Sequence, residues 1–182
     1  MNIPLKLLPI AERDQFAVEI YLPEGSSLQQ TEAVSKDMEA ILRVDERVVS
    51  VTAFYGAGSP RFHTAYAPKI GGPNFAQFIV NTTSNRDTEE ILDEYADKYA
   101  HHYPNAFVKF KQLEYVPTDG DVEIRLAGDN ISDLKQFADT LMTELNKLEE
   151  PIRIYTSFEE PLQGIKVSVD PIESNRLGVS EA

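Results

Sequence analysis

The sequence contains no cysteine. That excludes thiol nucleophiles, disulfide staples and cysteine metal sites, and it fits an oxidising compartment. Positive charge is scarce. Seventeen Lys and Arg stand against 30 Asp and Glu, for a net charge of -13. Nucleic acid and anionic membrane surfaces gain nothing from such a chain, because it offers neither counterion release nor a basic stripe interleaved with aromatics. Long apolar runs are missing too. Met1 to Ile10 is apolar but short and broken by Pro4 and Pro9, so it is neither a signal peptide nor a bilayer span. A native protein working outside the cytoplasm would make this chain an excised piece.

The usual signatures of catalysis are also missing. There is no serine nucleophile motif, phosphate-binding loop or dinucleotide fingerprint. Of the three histidines, His63 falls in a strand pattern, and His101-His102 ends a helix, where the dipole favours a basic residue. None has metal-ligand spacing. Met38 and Met142 lie on helix faces and read as core. Acidic pairs such as Glu89-Glu90 and Glu149-Glu150 read as solvated helix ends. The expectation is a non-enzyme without cofactor or metal.

What is present is a strand–turn–helix unit that recurs. Phe16, Val18, Ile20 and Leu22 alternate with Ala17, Glu19 and Tyr21, the pattern of a strand over about 15–22. Pro23, Glu24 and Gly25 turn the chain. Ser27, with Gln30 three residues on, opens a capping box and a helix to about Val44. Val34, Met38, Ile41 and Leu42 form its apolar face. Val48 to Phe54 is a β-branched strand. Gly56-Ala57-Gly58-Ser59-Pro60 is a loop flanked by Phe54, Tyr55 and Phe62.

Arg61 to Ala67 is a candidate strand, Pro68 to Asn74 a loop, and Phe75 to Thr82 a strand. Asp87 is the expected N-cap of a helix over Thr88 to His102, with Ile91, Leu92, Tyr95 and Tyr99 inward. Phe107 to Leu113 closes the order β-α-β-(β)-β-α-β. Two such units pair into one antiparallel sheet with both helices on one face, the ferredoxin-like arrangement. The fold class is therefore α+β: a ferredoxin-like βαββαβ module followed by a partial second βαβ.

Pro117 to Gly120 marks the boundary. Beyond it, Val122, Ile124 and Leu126 alternate as a strand. Ser132 to Leu148 is a helix with Leu134, Phe137, Ala138, Leu141 and Leu145 at helical spacing. Pro151 ends it, strands are expected at 152–156 and 165–169, and a short helix at 171–177. Ile41 and Phe137 are expected to face their sheets. A lone βαβ leaves sheet surface uncovered, so the isolated chain is expected to be a monomer or weak dimer.

The wording of the chain resembles the extracytoplasmic region of resistance-nodulation-division (RND) efflux transporters, hydrophobe/amphiphile exporter branch. The similarity lies in Leu8-Pro9-Ile10-Ala11-Glu12-Arg13-Asp14-Gln15-Phe16, Leu22-Pro23-Glu24-Gly25-Ser26-Ser27-Leu28 and Thr31-Glu32. It continues in Pro60-Arg61-Phe62, Asn74-Phe75-Ala76-Gln77 and Asp170 with Arg176-Leu177-Gly178-Val179-Ser180.

The resemblance implies a periplasmic loop of an inner-membrane protein, after the seventh transmembrane helix. It implies a first C-terminal porter subdomain over 1–116, half of a second over 117–163, and the start of a docking subdomain over 164–182. It implies a homotrimeric, proton-driven pump that works with a periplasmic adaptor and an outer-membrane channel and moves lipophilic or amphiphilic small molecules. Phe54, Tyr55, Gly56, Gly58 and Phe62 are then candidates for the substrate path, because apolar clefts beside glycine loops suit lipophilic ligands. Two departures bear on substrate class: Leu7-Leu8 stands where the family often carries aromatics, and the Gly56–Pro60 loop is short.

Two other readings fit the fold class. One is a stand-alone ferredoxin-like ligand-binding or regulatory module. The more distant one is a small hydrolase, but acylphosphatases of this topology need an arginine-bearing phosphate cradle in the first turn. Here that turn carries Glu24.

Overall fold

In the computed structural model, the described residues are 13–61, 66, 68–113, 122–148, 153–158, 168 and 170–178. The elements are β1 (Gln15–Tyr21), α1 (Leu28–Val44), β2 (Val48–Tyr55), β3 (Phe75–Thr82), α2 (Asn85–Ala100), β4 (Phe107–Gln112), α3 (Ile131–Leu145) and α4 (Pro171–Leu177).

The first unit forms as its residues dictate. After Leu22 the chain turns through Gly25, whose φ of 85° suits a residue without Cβ. The Ser27 backbone N–H donates to Gln30 Oε1 at 2.8 Å, and Ser27 Oγ accepts from the Gln30 backbone N–H at 3.3 Å. Two otherwise orphaned donors at the start of α1 are thereby satisfied.

The second helix begins earlier than its sequence suggests. Its N-cap is Ser84, not Asp87. Ser84 Oγ accepts from the Asp87 backbone N–H at 3.2 Å, and its hydroxyl donates to Asp87 Oδ2 at 2.7 Å. Asp87 sits inside the first turn instead, where the helix dipole favours a carboxylate.

The four strands form one sheet in the order β2-β3-β1-β4, with every neighbouring pair antiparallel. This is the ferredoxin-like order, and both helices lie on one face. Phe16, Val18 and Ile20 of β1 join Ala76, Phe78 and Val80 of β3 beneath Met38 and Leu42 of α1 and Ile91, Tyr95 and Tyr99 of α2. Val34 and Ile41 are partly buried against the same core. Arg47 ties the two helices at one end, 2.7 Å from Asp45 Oδ2 and 2.9 Å from Glu94 Oε2. Tyr95 donates its hydroxyl to Asp45 Oδ2 at 2.8 Å.

Beyond β4 the structure departs from expectation. Val122, Ile124 and Leu126 form no strand and are 81%, 52% and 43% exposed. Residues 153–156 form none either. A strand's stability lies in its ladder partner, and none faces these residues among those described. The helix α3 does form, capped by Asn130 Oδ1 accepting from the Ser132 N–H at 2.9 Å. Among the described residues no layer buries its stripe, and Phe137 is 67% exposed rather than buried. The short helix α4 occupies its expected residues. The candidate strand at 61–67, the one at 165–169, and the boundaries at 116/117 and 163/164 lie largely or wholly outside the described residues.

Candidate functional site

Strand alternation leaves the sheet face opposite the helices with a different composition. From β1 it receives Gln15, Ala17, Glu19 and Tyr21. Their cross-strand partners are Asn81, Ile79, Gln77 and Phe75 on β3, and Lys111, Lys109 and Phe107 opposite Ala17, Glu19 and Tyr21 on β4. The face divides into three patches. Ala17, Ile79, Tyr66 and Leu113 form a small apolar cluster that Phe54 joins. Glu19 and Gln77 form a buried polar centre. Tyr21, Phe75 and Phe107 form an aromatic end, with ring centroids 5.2 Å (Tyr21–Phe75) and 6.4 Å (Tyr21–Phe107) apart.

The polar centre is fully engaged. Glu19, 2% exposed, accepts from the Tyr21 hydroxyl at 2.5 Å and from Gln77 Nε2 at 3.3 Å, and Lys111 Nζ lies 3.1 Å away. Gln77 Oε1 accepts from the Tyr66 hydroxyl at 2.5 Å and from the Ser59 backbone N–H at 2.7 Å. Lys69 Nζ donates to the Tyr21 hydroxyl at 2.7 Å. Burial first, and the Glu19 charge second, push the Tyr21 phenol far above its ordinary pKa, so it stays a donor. Burial likewise raises Tyr66.

The segment covering this face is stapled down by those same groups. Gly56, at φ 72°, donates its N–H to the Phe75 carbonyl at 2.8 Å. A Cβ on Gly58 would stand 2.1 Å from the Lys69 carbonyl oxygen, and one on Gly71 would stand 2.5 Å from the Ala57 Cα. Gly58 and Gly71 thus allow two backbone segments to touch.

The sequence candidates therefore separate. Phe54 lies on the helix-free face. Tyr55, one residue on, faces the helices, packs against their core and donates to Glu39 Oε2 at 3.0 Å. Gly56 and Gly58 belong to the stapled cover. Phe62 lies outside the described residues, as does His63. Sequence reasoning passed over Glu19, Gln77 and Lys111. The available signal was a glutamate and a glutamine at the centres of otherwise apolar strands, where an unpaired polar group is costly.

A guanidinium reaches the aromatic end from the following segment. Arg153 lies 4.5 Å from the Tyr21 ring centroid, 4.7 Å from Phe107 and 4.4 Å from Tyr155. Lys69 Nζ lies 4.7 Å from the Tyr21 centroid. All four distances are within cation–π range. Among the described residues no group of three or more His, Asp or Glu is placed to hold a metal ion. No helix among them is long and apolar enough to cross a membrane. The arrangement is a buried polar centre beneath a backbone cover, with the partly exposed rings of Phe54, Tyr21 and Phe107 at its margins.

The fold is similar to that of a heavy metal efflux pump solved in two crystal forms. Form I matches with a TM-score of 0.67 and 19% identity over 92% of this chain and 18% of that one. Form II matches with a TM-score of 0.61 and 18% identity over 95% of this chain and 19% of that one. The chain thus spans about a fifth of the pump's length, and at these identities the likeness is one of fold. No curated protein matches the chain. The profile of the AcrB/AcrD/AcrF family matches residues 1–182, and the chain belongs to that family of RND efflux transporters.

Proposed function

We propose that this chain is a periplasmic porter region of a proton-driven RND exporter. In this reading it is not an enzyme; it forms one wall of the path along which cargo leaves the cell. The observation that carries the reading is the helix-free sheet face, with Phe54, Tyr21, Phe75 and Phe107 around a buried Glu19–Gln77 centre, in a chain of this family. Residues 1–116 are the first C-terminal porter subdomain, 117–163 half of the second, and 164–182 the start of the docking subdomain. The whole transporter is a homotrimer in the inner membrane, joined to a periplasmic adaptor and an outer-membrane channel. Family membership over the full chain favours this over a stand-alone regulatory module.

The cargo is lipophilic or amphiphilic, since Phe54, Tyr21 and Phe107 leave partly exposed rings at the margins of that covered face. A second reading, export of heavy metal ions, draws on the names of the similarly folded pump structures. Susceptibility assays of the full-length transporter, against a panel of lipophilic cations and neutral compounds and a panel of metal salts, separate the two. Phe54→Ala and Phe62→Ala are expected to change tolerance to some organic compounds at unchanged protein abundance. A change confined to metal salts would favour the second reading. Unchanged tolerance throughout, with export active, would return both residues to packing roles.

A further inference from the structure

We propose that Glu24, on the exposed turn between β1 and α1, is the outer latch of the cover over the helix-free face, and that releasing it opens the cover above the buried Glu19–Gln77 centre. The latch belongs to the fold of this module and goes beyond the transport reading, whatever the cargo.

Asn74 is the residue that the latch holds. Both hydrogens of its Nδ2 go to the turn, one to the Leu22 carbonyl at 3.2 Å and one to Glu24 Oε1 at 2.8 Å. The Leu22 N–H donates in return to the Asn74 carbonyl at 2.9 Å. Thr31, fully buried in the first turns of α1, donates its hydroxyl to the Pro73 carbonyl at 2.6 Å. These contacts fall on the last residues of the cover before β3.

From there the cover continues through direct backbone contact. Gly71 lies against Ala57, and Gly58 lies against the Lys69 carbonyl. Two backbones with no side chain between them have nothing to absorb a shift, so the segments lift together. Lys69 in turn holds the Tyr21 hydroxyl, and the Ser59 N–H holds Gln77. Glu24 is exposed, whereas Ser59, Gln77 and Glu19 are buried. A contact made on the surface turn is therefore felt at the polar centre beneath the cover.

The test is amide hydrogen exchange on the 182-residue chain, read at two buried positions away from the turn. Ser59 donates to Gln77 under the cover. Thr82 donates to the Asp14 carbonyl at 2.9 Å, at the far end of β3, and reports on the sheet as a whole. Glu24→Ala is expected to speed exchange at Ser59 about fivefold and to leave Thr82 unchanged, because a charge-assisted bond of the closed cover is lost while the core is untouched. Glu24→Gln, whose amide oxygen still accepts from Asn74, is expected to stay within about twofold of the wild type. The proposal is overturned if Glu24→Ala leaves Ser59 exchange unchanged, if Ser59 and Thr82 accelerate together, or if Glu24→Gln exchanges as fast as Glu24→Ala.

Discussion

The Tyr21 hydroxyl donates to Glu19 Oε2 at 2.5 Å, two positions apart on one strand and one sheet face. Lys111 and Gln77 approach the same carboxylate from the strands on either side. One buried charge thus links β1, β3 and β4 across the face that the helices leave uncovered.

Glu19→Ala is expected to destabilise the chain by about 3–5 kcal/mol, because it removes the acceptor shared by buried donors and leaves Lys111 facing a cavity. Glu19→Gln keeps the shape and loses the charge, and is expected to cost less. Urea denaturation of the three proteins checks the order. Equal midpoints would mean that water replaces the carboxylate at no cost.

Acid sensitivity has an identifiable source at the other end of the sheet. The hydrogen bond from Arg47, chiefly, holds the Asp45 carboxyl well below its usual range, although burial opposes it. A depressed folded-state pKa contributes stability that is complete above the unfolded value, about 3.9, and is lost as pH falls below it. Tyr95 lies on the same carboxylate and is pushed up to about 12, first by burial and then by Asp45. The wild-type urea midpoint is therefore expected to fall between about pH 7 and about pH 2.5 by more than that of Asp45→Asn. Parallel falls would place the acid-labile group elsewhere.

Core and surface substitutions should separate sharply. Phe78 is fully buried between the sheet and both helices, and Phe78→Ala is expected to cost about 3–5 kcal/mol. Phe137 is exposed on α3, and Phe137→Ala is expected to stay within about 0.5 kcal/mol. A large loss at Phe137 would reveal a packing partner for α3.

Much of the first module was legible because it rests on local patterns. Alternation in 16–22 and 75–82 gave the two faces, and the Ser27–Gln30 box fixed the start of α1. The start of α2 was misread because two good capping residues, Ser84 and Asp87, stand three apart, and the helix uses both. The strand at 122–126 was not decidable locally, since a ladder needs a partner that periodicity cannot name. The polar centre was visible only in part. Glu19 and Gln77 were passed over as ordinary strand positions, and that they face one another depends on register across 58 residues of sequence. Arg153 carried no signal, because two of the three rings around it, Tyr21 and Phe107, come from β1 and β4.

The cover over the helix-free face makes the last prediction. A Cβ on Gly58 would meet the Lys69 carbonyl oxygen at 2.1 Å, and backbone cannot yield as a side-chain tip can. Gly58→Ala must therefore lift one segment off the other, at a cost of about 1–3 kcal/mol. The lift would lengthen the bond from the Ser59 N–H to Gln77 and draw Lys69 away from Tyr21. Hydrogen exchange is expected to accelerate at the Ser59 amide. Gly178→Ala is the control. Its φ of 69° strains any other residue by about 1 kcal/mol, yet nothing stands within 4 Å of the added Cβ, so its effect should stay at the end of α4. Exchange at Ser59 as slow in Gly58→Ala as in the control would mean that the cover is not held by close backbone contact.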